Sequence, residues 1–224
     1  MNILAIETAT TVCAVALRAG DDVDARILDE DRRHTEALTP GIVRVLADHQ
    51  LSVRDLDRIV VDRGPGLFTG LRVGLATAQA LASAVGVDLV GVTSLECLAH
   101  SAASRGYRGA LVALVDGRRG EVFAQSFEIA DDVVVLTPAE VRRPLDVAIE
   151  WGTNGRPVLA TGDGALRYAD VLAPVPTMTL DDESVPSCRA AIALGAVRAP
   201  GEVSPLYLRE ADAVANFSTR QRPS

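Results

Sequence analysis

The layout of the first thirty residues is used twice in this chain, and a chain that repeats such a unit has few folds open to it. Residues 2–7 read as a short apolar strand, Thr8-Ala9-Thr10-Thr11 as a polar turn, residues 12–17 as a second strand and 23–28 as a third. The pattern returns as strands at 110–115, 121–127 and 133–136, with Asp116-Gly117-Arg118-Arg119-Gly120 as the turn. Helical and strand patterns follow each meander: a helix from about Thr35 to Gln50, a strand at 58–62, a helix at 69–85, a strand at 88–92 and a helix at 93–104. After the second come a helix at 138–151, a strand at 157–161, a short helix at 168–172, an acidic loop at 177–186 and a helix at 187–197. Asp29–Arg33 reads as a charged loop and the last residues, 219–224, as disordered.

Two strand-hairpin units, each followed by helices, predict a duplicated α/β fold of the ribonuclease H-like or actin-like (ASKHA) kind, in two lobes. The expected division is 1–104, with the C-terminal segment 187–224 packing back on it, and 105–186. In that architecture a nucleotide sits between the halves with its phosphates on the two hairpin turns. The candidate residues are Glu7, Thr8 and Thr10 on the first turn and Asp116 and Gly117 on the second, with Gly162 and Asp163 as an adenosine-side turn. Tight turns use the same residues for purely structural ends. Glu7 and Asp116 could hold Mg²⁺ between them, or each could cap its own turn.

Between the meanders lies Arg63-Gly64-Pro65-Gly66-Leu67-Phe68-Thr69-Gly70-Leu71-Arg72-Val73-Gly74, read as strand end, tight turn and helix start with Thr69 as the cap. Gly70, Gly74, Ala78 and Ala82 recur every fourth residue, a small-residue ridge that admits a close neighbour. That neighbour is either the chain's own sheet or a second subunit. In the preceding helix Leu38, Ile42, Val45, Leu46 and His49 share a face, and Pro40 requires either that Thr39 is the cap or that the helix starts near Thr35.

Composition removes several chemistries. All 22 basic residues are arginine, so a phosphate-binding or Schiff-base lysine is excluded, and a net charge of −8 argues against a free-standing nucleic-acid binder. His34, His49 and His100 form no HxxxH or HExxH pair, and no GxSxG occurs, so neither a helical metal pair nor a serine elbow is expected. Cys13, Cys97 and Cys188 are expected to be buried apolar residues, since their odd number and wide spacing suit neither a disulfide framework nor a zinc site. No apolar run reaches the ~18 residues of a membrane span and the N-terminus lacks a basic flank, which together predict a soluble, cytoplasmic protein.

Five stretches carry a family resemblance: Ile3–Thr10, Arg33–Pro40, Gly64–Gly74, Val115–Phe123 and Pro205-Leu206-Tyr207-Leu208-Arg209. Together they resemble the bacterial TsaB (YeaZ) family over nearly the whole chain, the Gly66-Leu67-Phe68-Thr69-Gly70 segment most specifically. The resemblance implies an actin-like subunit with no catalytic residues, no metal and no cofactor of its own. It implies pairing with TsaD, the HxxxH-bearing transferase, and action with the ATPase TsaE in making threonylcarbamoyladenosine at position 37 of tRNAs that read codons starting with A. Contact with tRNA would be indirect, and the chain alone would form a homodimer. Glu7 stands where the family more often has aspartate, and Leu67 where serine is common. The pairing surface implied is the helix pair after the first meander. The expected contacts are Leu38, Ile42, Val45, Leu46, Gly70, Leu71, Gly74, Leu75, Ala78 and Ala82, and Gly74→Leu is expected to abolish association while leaving the monomer folded. The competing reading is an actin-like ATPase or small-molecule kinase acting alone through Glu7 and Asp116.

Overall fold

In a computed structural model, residues 1–29 and 34–209 are described. The first meander is β1 (Ile3–Glu7), β2 (Cys13–Ala19) and β3 (Asp22–Asp29), followed by α1 (His34–Asp48), β4 (Arg58–Asp62), α2 (Phe68–Val85), β5 (Asp88–Val92) and α3 (Ser94–Ser104). The second is β6 (Gly109–Arg118), β7 (Glu121–Ile129) and β8 (Val133–Val135). It leads to β9 (Glu140–Arg142), α4 (Pro144–Asn154), β10 (Val158–Thr161), α5 (Asp163–Arg167), α6 (Ala169–Leu172), β11 (Met178–Leu180) and α7 (Cys188–Val197).

The duplication is topological as well as local. The first sheet runs β3-β2-β1-β4-β5 and the main path of the second runs β8-β7-β6-β10-β11, so corresponding strands hold corresponding places. In each sheet the hairpin strands are antiparallel and the later two are parallel to the first strand. Parallel strands need both faces covered, and the sequence alternates accordingly. Leu4 and Ile6 join Val15, Ile59 and Val61 under α1 and α2, whereas Ile3 and Ala5 join Val60, Val90 and α7 residues Ala191, Ile192 and Leu194 on the opposite face.

The two sheets are joined through α3. Its Leu95, Leu98, Ala99 and Ala102 pack with Leu111, Ala113, Phe123 and Phe127 of the second sheet. The helix begins with a capping box in which the Thr93 hydroxyl accepts from Glu96 N (3.1 Å) and Thr93 N donates to the Glu96 carboxylate (2.9 Å). Thr93→Ala should cost about 1 kcal/mol, read as a small fall in the thermal midpoint; an unchanged midpoint would mean that the packing of α3, not its cap, holds its start.

Several element assignments need correction. α2 starts at Phe68 with Leu67 at the cap position and no side-chain cap, so Thr69 is not the cap. The backbone enters the helix early because Leu67 N is tied to the Ala9 carbonyl at 2.6 Å. Pro40 lies inside α1, which removes the alternative with Thr39 as cap. The expected helix at 138–151 begins at Pro144 instead. Proline disfavours helical geometry at Arg143 before it, and residues 140–142 pair with β7. The acidic loop contains β11, and two of its carboxylates are tied down: Arg105, at the C-terminal cap of α3, pairs with Asp181 and Glu183, Ser101 Oγ donates to Glu183 (2.7 Å) and Thr161 Oγ1 to Asp181 (2.8 Å). The charged-loop expectation beyond Asp29 and the expectation for 219–224 lie outside the described residues.

Candidate functional site

The helix pair α1 and α2 turns its apolar stripe inward. Leu38, Ile42, Val45, Leu46, Leu71, Leu75, Ala78 and Ala82 are each at most 7% exposed, and Gly70 and Gly74 are buried with them. The glycines are there for the chain's own sheet. A Cβ on Gly70 would overlap the Thr8 carbonyl oxygen, and one on Gly74 would overlap Thr8 Oγ1 and lie 3.6 Å from Ile6. These ten residues are therefore core, and the expectation that they meet a partner directly is corrected. The period of a stripe fixes its phase on the helix but not what covers it.

The opposite flank of the same helices is open. On α1, Thr39, Pro40, Val43 and Ala47 are exposed, Val43 at 60%. On α2, Ala76 and Ala80 are exposed and Val73 and Thr77 half-buried. In all of α2 the single charged residue is Arg72. A helix with water along one side ordinarily carries several charges there, and one that is apolar all round is ordinarily covered all round. That signal was legible in the sequence: Ala76, Ala80 and Ala84 form a second four-residue repeat beside the first.

The first hairpin turn is sealed. Glu7, Thr8, Ala9 and Thr10 are buried. Glu7 Oε1 accepts from Ala9 N (2.9 Å) and Thr10 N (3.2 Å), Thr8 Oγ1 donates to the Gly70 carbonyl (2.8 Å), and Gly66 packs directly on the Ala9 carbonyl. The amides and hydroxyl that a phosphate would use are spent inside the chain. The second turn differs. Asp116 N donates to Asp163 Oδ1 (2.9 Å), and the Asp116 carboxylate accepts from Arg118 N (3.0 Å) and pairs with the side chains of Arg118 (3.0 Å) and Arg167 (3.4 Å). Burial pushes Asp163 up. Gly117 closes this turn against Glu121, while Gly162, at φ +104°, presses on the Leu114 carbonyl.

Glu7 does not pair with Asp116. Its partner is Asp62, at the end of the adjacent parallel strand β4. Asp62 Oδ1 accepts from Gly64 N (2.7 Å) and Ser94 Oγ (3.0 Å), and its buried Oδ2 has no hydrogen-bond partner among the described residues. Burial first, and the Asp62 carboxylate second, hold Glu7 well above the ordinary carboxylate range. Two buried acids therefore stand side by side at the ends of β1 and β4, an arrangement that favours keeping a proton on Glu7. The pair was missed because its members are far apart in sequence and meet only when β1 and β4 align.

Among the described residues no group of three or more histidines, cysteines and acids is arranged to hold a metal, and no helix is long and apolar enough to cross a membrane. The three cysteines are free and buried. His34 is buried, its Nε2 3.3 Å from the Thr11 carbonyl.

Two sheets of the same strand order, each opening on a hairpin and joined through a shared helix, define a two-lobed protein of the actin-like class. A family model described as TsaD, tRNA N6-adenosine threonylcarbamoyltransferase, matches residues 29–174. The tRNA threonylcarbamoyladenosine biosynthesis protein TsaB of Escherichia coli is 31% identical over 93% of this chain and 95% of its own. Two Pseudomonas aeruginosa structures are similar: YeaZ, at a TM-score of 0.77 and 26% identity over 87% of this chain and 90% of that one, and a protein described as similar to YeaZ, at 0.81 and 25% over 93% and 99%. The chain belongs to the TsaB (YeaZ) family.

Proposed function

We propose that this chain is a non-catalytic scaffold subunit in the synthesis of N6-threonylcarbamoyladenosine at position 37 of tRNAs reading codons that start with A. Membership of the TsaB family supports a role in that pathway. The scaffold reading is carried by the nearly uncharged outer flank of α2 beside the exposed Pro40, Val43 and Ala47 of α1. A TsaD-type transferase subunit would bury this flank, and differential affinity would select the arrangement in which that subunit is active. With no such partner present the flank would pair with a second copy of itself, and TsaE would join the assembled pair. The net charge of −8 favours indirect contact with tRNA. A lone ATPase or kinase would need phosphate contacts from the first turn, whose amides and hydroxyl are already bonded internally.

The test replaces Val43 and Ala80 together with arginine. Both are exposed, so the thermal midpoint should move little. Co-purification with a co-expressed TsaD homologue should be lost, and with it the modified nucleoside in a reconstituted assay. Undiminished co-purification would place the contact elsewhere. Titration of the isolated chain with Mg-ATP separates the readings independently, because a kinase binds nucleotide alone.

A further inference from the structure

The Pro205–Arg209 segment has no role in the reading above, yet it touches both lobes. Val203 is buried against Gly91, and its carbonyl accepts from Gln79 Nε2 (3.0 Å) on α2. Leu206 N donates to the Arg63 carbonyl (2.7 Å), in the loop that covers the first hairpin turn. Tyr207 stacks on Phe68 with 5.2 Å between ring centroids, and its hydroxyl lies 3.4 Å from Arg72 Nε, whose guanidinium in turn covers the Phe68 ring at 3.7 Å. Leu208 then packs with the cluster containing Phe123 and Phe127 of the second sheet. Arg209 donates to the Gly117 carbonyl (3.1 Å) and pairs with Glu121, at the two ends of the second hairpin turn.

We propose that residues 203–209 are a latch that fixes the two lobes in one relation, bridging the first-turn cover and the second turn as a nucleotide's phosphates bridge the turns of two-lobed actin-like enzymes. The first-lobe end is anchored by a buried valine, two backbone-directed hydrogen bonds and an aromatic stack, and the second-lobe end by a guanidinium. A planar guanidinium can serve the turn carbonyl and the Glu121 carboxylate at once, which a lysine ammonium does less well. Nothing in this device requires a partner, so it is measurable on the isolated chain.

Hydrogen–deuterium exchange on the full chain tests it with Arg209→Ala, Arg209→Lys and Tyr207→Ala. Arg209→Ala should speed exchange of the 117–121 amides about tenfold, and should also speed the 63–68 amides in the other lobe, which Arg209 does not touch. Tyr207→Ala should act in the reverse sense, loosening 117–121 from the far end, and Arg209→Lys should fall between. Unchanged protection of β1 and β4 certifies that the variants are folded. If each substitution alters exchange only beside itself, or alters nothing, the segment is ordinary surface packing and the latch is refuted.

Discussion

Gly74→Leu is expected to destabilise the first lobe strongly. A side chain there meets Thr8 Oγ1 and Ile6, which belong to β1 and the turn after it, and neither can withdraw. Thr8 is fully buried and donates to the Gly70 carbonyl, and Ile6 lies in the core under α2. The helix would have to lift from the sheet along the row of Gly70, Gly74 and Ala78, uncovering Leu71 and Leu75. Overpacking of this kind costs about 3 kcal/mol or more where the neighbours are fixed, a large part of the roughly 5–15 kcal/mol that holds a domain together. The thermal midpoint should fall by about 10 °C. Gly70→Ala should be as damaging, because its Cβ meets a backbone carbonyl. Ala76→Leu, on the open flank of the same helix, should leave the midpoint within a few degrees. A Gly74→Leu protein that melts like its parent but no longer binds its partner would restore the outward assignment of the glycine ridge.

The second large effect sits at Asp62. Asp62→Ala removes the acceptor for Gly64 N and Ser94 Oγ and leaves Glu7 buried without its partner, at an expected cost of about 3–5 kcal/mol. Glu7→Gln should do the opposite. Its carbonyl can still accept from Ala9 and Thr10, and its neutral amide takes the place of the protonated acid beside Asp62. The pH dependence follows from the same pair. Glu7 holds its proton more tightly folded than unfolded, so the associated stabilisation is complete below the ordinary glutamate value of about 4.3 and declines as pH rises toward the folded value. Burial raises Asp62 as well, in the same sense. The other acids facing the pair do not offset this: Glu96 is held low by Arg198, and Cys97 and Cys188 are pushed up by burial. From pH 5 to 9 the unfolding free energy of the parent should therefore fall relative to that of Glu7→Gln, a comparison in which the opposite contribution of His100, lowered by burial, cancels. Parallel slopes would show that folding does not keep a proton on Glu7.

Much of the fold is legible in local pattern because strands and helices announce themselves by period. Leu4 and Ile6 alternate with Ile3 and Ala5, Thr93 and Glu96 stand at capping-box spacing, and the two meanders follow the same order of strand, turn, strand and strand. The short strands β9 and β11 are not legible. Glu140–Arg142 is extended because β7 offers it an edge, and nothing within the segment itself demands a strand. The site was half legible. The small-residue ridge does admit an unusually close neighbour, but that neighbour is Thr8 of the same chain.

The sequence alone determined the repeated hairpin-and-helix order, the period of every buried stripe and, through the absence of lysine and of paired histidines, the chemistries this chain lacks. Tertiary structure decided which side of α2 is core, that Glu7 meets Asp62 and not Asp116, and that Pro205–Arg209 reaches both lobes. The reason is physical: periodicity is a property of neighbours along the chain, whereas the object that fills a groove or faces a carboxylate is chosen when distant segments close on one another.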